Sequence, residues 1–162
     1  YIPGINAGIS GPDQFLLANH LWGPSYVSLE SALSYWGLIP EYVYETTSVT
    51  TSISKTLTTE AGRYSFMHLP LPYYSLGIRR EKLSERQHIL IASPEKALCD
   101  KLITTSGILL RSKKETQQLL IEDLRLDEIL LKEMNTAAIE TWIPYSPKKT
   151  TLTQLIKTMR LL

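Results

Sequence analysis

Leu29, Ala32, Leu33 and Trp36 fall at i, i+3, i+4 and i+7, a spacing that gathers their side chains on one face of a short helix. Ser28 stands just before this stripe as a candidate N-cap, and Glu30 sets a carboxylate against the positive end of the first turn. Gly37 follows where a left-handed terminator is wanted. The device recurs at Ser93-Pro94-Glu95-Lys96-Ala97-Leu98, which matches Ser28-Leu29-Glu30-Ser31-Ala32-Leu33 in the pattern S-x-E-x-A-L. Pro94 occupies the first helical position, where its missing N–H costs nothing, so the second helix start is the better defined.

The remaining pattern surrounds these two starts. Pro12 opens a helix with a partial apolar face of Phe15, Leu16, Ala18, Asn19 and Trp22, ended by Gly23-Pro24. After Pro40, Tyr42 to Thr51 is dense in Tyr, Val and Thr, the types that favour strands. Gly62 at positive φ predicts a hairpin joining strands near Ser52 to Thr58 and Arg63 to Leu69; Tyr74 to Glu81 and Gln87 to Ala92 read as two more. From Ser93 onward the signals are helical: Ser112 to Leu124, Asp127 to Met134, and Ala137 to Trp142 behind an Asn135 cap. The last helix follows Ser146-Pro147, with a stripe of Leu152, Leu155, Ile156 and Met159. The class predicted is α+β, with a mostly antiparallel sheet of about four strands between short capped helices and a C-terminal helical part. The predicted layout is a connector over 1–11 and one domain over 12–162, divided into an α/β core (12–105) and a helical part (106–162).

A domain of 162 residues buries roughly 70 % of the surface its unfolded chain exposes. With 43 % hydrophobic and 20 % charged residues, the composition is that of a globular protein rather than a membrane one. No apolar run approaches the roughly 20 residues needed to span a bilayer. A lone cysteine, Cys99, on an apolar helix reads as a small core residue and fits a reducing cytoplasm. A net charge of +1 and a pI near 8.0 lack the basic excess of a dedicated nucleic-acid module.

Catalytic and cofactor signatures are missing. His20, His68, His88 and Cys99 are scattered singly, without metal-ligand spacing. No serine lies in G-x-S-x-G, and neither glycine-rich phosphate loop occurs. No Glu or Asp has a Lys two residues on, so the E-x-K strand of a metal-dependent nuclease is absent too. No cofactor, metal or small-molecule substrate is expected. Arg79, Arg80 and Lys82 sit beside acids and read as a solvated face, whereas Lys148, Lys149, Lys157 and Arg160 form a tail with no acid after Glu140. That tail either leans on DNA or an acidic partner or serves solubility alone. Tyr26, Tyr35, Tyr42, Tyr44, Tyr73 and Tyr74 line a contact surface or sit at the edge of the core.

YVSLESALSYWGLIPE, the Thr-rich SVTT and IASPEKAL together resemble the antitoxin of AbiE-type (type IV) toxin–antitoxin systems, the AbiEi-like transcriptional regulators. The resemblance is specific from about Ala18 to Leu102 and looser beyond. It implies a bacterial cytoplasmic regulator of its own operon, linked to abortive phage infection, that opposes a nucleotidyltransferase-like toxin without a stable complex. It also implies operator binding through an upstream winged helix-turn-helix, which these residues lack, so that 1–11 would be its linker. Ser28, Leu29, Glu30, Ala32, Leu33 and Gly37, with Ser93, Pro94, Glu95, Ala97 and Leu98, would then be fold-defining. Arg79, Arg80, Lys148, Lys149, Lys157 and Arg160 would be candidates for a DNA or partner surface. The competing classes are a small metal-dependent nuclease or its inactive relative, and a protein-interaction module.

Overall fold

The computed structural model describes residues 12–41 and 43–162; the connector expected over 1–11 and Tyr42 lie outside them. The elements in chain order are α1 (Pro12–Leu21), β1 (Ser25–Val27), α2 (Leu29–Tyr35), β2 (Thr46–Thr50), β3 (Lys55–Thr59) and β4 (Gly62–His68). They continue with β5 (Ile78–Lys82), β6 (His88–Ala92), α3 (Pro94–Thr104), α4 (Lys113–Gln117), α5 (Glu128–Lys132), α6 (Thr136–Trp142) and α7 (Lys149–Met159). A π-helical turn over Gln118–Asp123 extends α4, and a 3₁₀ turn over Tyr73–Ser75 precedes β5.

The fold is α+β, and its sheet has six strands rather than about four, in the order β3-β4-β2-β1-β6-β5. Pairs β1–β2, β3–β4 and β5–β6 are antiparallel, while β1–β6 and β2–β4 are parallel, so the open sheet is mixed. The unforeseen strand is β1, which lies in the middle. Its three residues are all buried and show no polar–apolar alternation, so there is no period to read. Tyr74 to Glu81 resolves into the end of the 3₁₀ turn and, from Ile78, β5. The predicted hairpin is present, with Gly62 at φ +139° pairing with Thr59 across a two-residue loop.

Because β1 is short, α1 completes the middle of the sheet with a side chain. Asn19 Oδ1 accepts from the Leu90 N–H at 2.8 Å and its Nδ2 donates to the Leu90 carbonyl at 3.2 Å, so one amide meets the strand backbone as a neighbouring strand would. Gln14 of the same helix and Trp22 just beyond its end donate to the carbonyls of Ala61 and Ile53.

One apolar cluster joins the sheet to the helices on both sides of residue 106. It contains Tyr26, Val27, Val49, Ile89 and Ile91 from the strands, Leu98 and Leu102 from α3, and Ile139, Leu152 and Leu155 from α6 and α7. The α7 stripe of Leu152, Leu155, Ile156 and Met159 is buried throughout, as its period predicts.

Candidate functional site

The two serine-led helix starts converge on a sealed polar centre. At α3 the predicted cap forms: Ser93 Oγ accepts from the Lys96 N–H at 3.1 Å, with Pro94 in the first turn. At α2 it does not. Ser28 makes no capping bond, and its hydroxyl donates to Asp100 Oδ2 at 2.7 Å. The cap comes from β2, where Thr47 Oγ1 accepts from the Ser31 N–H at 3.0 Å while donating to the Ser28 carbonyl at 2.6 Å. Ser31 Oγ in turn accepts from the Thr47 N–H at 2.8 Å, locking helix to strand.

The cause lies at the first helical residue. Leu29 has φ +60°, a left-handed conformation costing a non-glycine residue on the order of 1 kcal/mol or more. Its side chain is buried, and the Thr47–Ser31 exchange holds the turn in place. Strand β1 therefore becomes α2 within one residue.

Asp100, on α3, is wholly buried. Its carboxylate accepts from Tyr26 and Ser28 at 2.7 Å each and from Tyr73 at 3.0 Å. One turn earlier, Lys96 is also wholly buried, and its Nζ donates to the carbonyls of Tyr73 at 2.6 Å, Tyr74 at 3.2 Å and Leu76. Three ammonium protons thus meet three carbonyls at the 3₁₀ turn, and three hydroxyls meet one carboxylate. Tyr73 bridges the two charges: its carbonyl serves Lys96, its hydroxyl serves Asp100, and its ring lies 4.0 Å beneath the ammonium. Gly77 closes the turn at φ +73°, where a Cβ would stand 2.8 Å from the Trp142 ring and 2.9 Å from Lys96 Cβ.

Burial raises the Asp100 carboxyl above its ordinary range, while Lys96 and the three hydroxyls draw it back. Burial lowers Lys96 from 10.5 to about 8, against the attraction of Asp100. Burial and then the Asp100 charge hold the Tyr26 and Tyr73 phenols well above their usual value. Burial likewise pushes the Cys99 thiol up, the opposite of an activated nucleophile. Chemically this centre can order the helix starts and the 3₁₀ turn around one another, and its five side chains, Tyr26, Ser28, Tyr73, Lys96 and Asp100, are fully buried.

The other predicted residues are dispersed. Ala32, Leu33, Ala97 and Leu98 are core positions, and Gly37 terminates α2 at φ +79°. Glu30 pairs with Lys101 in a cleft of about 560 Å³ shared with Glu41 and Glu45, which themselves pair with Arg125 and Arg63 at 3.1 Å. Glu95 Oε2 accepts from the Asn135 N–H at 2.9 Å and lines a different cleft beside Trp36 and Leu130. Among the described residues, no three His, Cys, Asp or Glu are placed to hold a metal ion.

Of the basic residues, Lys148 points inward. Its Nζ donates to the carbonyls of Leu102, Thr105 and Ile108 at 2.9 to 3.1 Å, satisfying the C-terminal end of α3. Arg160 binds Glu140 at 2.8 Å, Arg79 lies over the Trp36 ring, and Lys149 and Lys157 remain exposed. Among the tyrosines, Tyr26 and Tyr73 belong to neither expected place, since both are central with partnered hydroxyls.

Lys96, Asp100, Tyr26, Tyr73 and Thr47 are the residues that sequence reasoning missed. The available signal was a Lys and an Asp at i and i+4 in the segment from Lys96 to Ile103, where two charges on one face of an otherwise apolar helix call for a buried partner set. No family model matches the chain, and neither a curated protein nor a solved structure matches it.

Proposed function

We propose that the chain is a non-catalytic antitoxin and regulator domain of the AbiE type, in which the two S-x-E-x-A-L stretches are scaffolding. The observation that carries this reading is the occupancy of their polar groups. Ser28 serves Asp100, Ser93 caps α3, Glu30 pairs with Lys101 and Glu95 holds the Asn135 backbone. Motif residues engaged in this way build a frame rather than a reaction centre. In this reading the domain antagonises a nucleotidyltransferase-like toxin in the bacterial cytoplasm, and operator recognition belongs to a winged module upstream.

The test is growth rescue. Co-expression of the full-length gene product with the toxin encoded beside it restores growth, and Asp100→Ala, which unlocks the frame, abolishes rescue. Absence of rescue by the unaltered protein overturns the proposal. So does metal-dependent nucleic-acid cleavage that disappears in Glu30→Gln with Glu45→Gln. A gel shift with these 162 residues alone gives weak binding that falls with salt and ignores sequence.

A further inference from the structure

A cleft of about 430 Å³ lies between α1 and the β5–β6 hairpin, and among the described residues its charged lining is of one sign. Leu16 and His20, one turn apart on α1, form one wall; Arg80 of β5, Arg86 and Gln87 of the hairpin tip, and His88 of β6 supply the polar groups of the other. No acid lines it. The acids nearest in the chain are engaged elsewhere, Glu85 with Lys82 at 3.4 Å and Glu81 with the Tyr35 hydroxyl. Strand alternation separates Arg80 from its neighbour Arg79, which lies over Trp36. Arg86 has no ion-pair partner among the described residues.

The donors are specific. Arg80 Nη2 lies 3.4 Å from His88 Nδ1, a contact to which the guanidinium can only donate. The cleft is therefore lined by two guanidinium groups, an imidazole and the Gln87 amide. The strand beneath is fixed by the paired bonds from Asn19 to Leu90, so the His88 side of the cleft rests on ordered backbone.

We propose that this cleft binds a terminal phosphate dianion, either inorganic phosphate or the phosphate monoester of a nucleotide. A monoester presents three terminal oxygens and close to two charges, which two arginine forks and two further donors match. A phosphodiester presents two such oxygens and one charge, leaving donors unmatched.

The experiment is calorimetric titration of the 162-residue chain with inorganic phosphate, adenosine 5′-monophosphate, dimethyl phosphate and a short DNA duplex. Saturable binding of inorganic phosphate or the monophosphate is expected, with dimethyl phosphate much weaker. Equal affinity for phosphate and nucleotide assigns the site to the phosphate group alone, and tighter nucleotide binding assigns it to a nucleotide. Arg86→Gln and Arg80→Gln each weaken binding about tenfold, as loss of a charge-assisted donor implies, and Lys157→Gln leaves it unchanged. Circular dichroism melts verify that these surface variants fold. Failure of both inorganic phosphate and the monophosphate to saturate overturns the proposal. Equal weakening by Lys157→Gln, or duplex binding tighter than monoester binding with the same arginine dependence, overturns it as well. None of these results bears on rescue from a toxin, so the two proposals fail separately.

Discussion

Ser28 and Ser93 begin the same six-residue pattern, yet one hydroxyl serves a carboxylate from another part of the chain and the other serves its own helix. The difference comes from the residue that follows each. Pro94 fixes φ near −65° and presents the first turn to Ser93. Leu29, at φ +60°, swings the start of α2 away from Ser28, so that Thr47 takes over as the cap and Ser28 is released toward Asp100. Identical signature letters thus specify two different anchoring roles, chosen by one backbone dihedral. Both roles end on α3, which carries Lys96 and Asp100 and makes the two starts interdependent.

That interdependence can be broken at several depths. Asp100→Ala strands two phenols, a serine hydroxyl and a buried ammonium without their anion, and costs roughly 3 to 5 kcal/mol in urea unfolding. Leu33→Ala and Leu98→Ala, at matched and fully buried positions of the two helices, each cost roughly 2 to 5 kcal/mol through cavities. The two should fall close together, and a large asymmetry would mean that one helix start collapses into its cavity.

Lys96 gives the comparison a pH axis. Its proton is held less tightly in the folded chain, at about 8, than in the unfolded chain, at 10.5. Between these values unfolding takes up a proton, so this group's contribution to stability rises with pH and below pH 8 it is a constant cost. From pH 8 to 10 the unaltered protein gains on the order of 2 to 3 kcal/mol relative to Lys96→Met. Unfolding free energies measured across that window for both proteins check it, and parallel curves would show that Lys96 titrates normally. Above pH 10 the raised phenols of Tyr26 and Tyr73 act in the opposite sense, because the unfolded chain loses those protons first.

The smallest effects sharpen the comparison most. Ser93→Ala loses a neutral cap and costs about 1 kcal/mol. Ser28→Ala removes one of three donors from a buried carboxylate and costs roughly 1.5 to 3 kcal/mol, while Thr47→Val reproduces the cap-sized loss at α2. If Ser28→Ala matched Ser93→Ala and Thr47→Val were silent, the roles assigned to Ser28 and Thr47 would be reversed.

How much of this was legible follows from period and partner. Helices with a 3.6-residue stripe, such as α7, announce themselves because burial of one face leaves a repeating trace. Strand β1 leaves none, since Ser25, Tyr26 and Val27 are buried alike. The polar centre was hidden for another reason: Asp100 receives Tyr26, Ser28 and Tyr73 across separations of 74, 72 and 27 residues, and nothing local encodes such pairings. Lys148 misled in the same way. Read along the chain it joins a basic tail, but in space its ammonium closes a helix more than 40 residues earlier.

The amide of Asn19 has a consequence for where the chain tolerates cutting. A protease nick in the Trp22–Pro24 link that freed α1 would remove both hydrogen bonds that the helix makes to Leu90, exposing that stretch of β6 backbone to water. A trimmed form beginning at Ser25 would retain all six strands and the Val27–Ile91 pairing that joins the two halves of the sheet, and would lose the amide that satisfies the Leu90 backbone beside it.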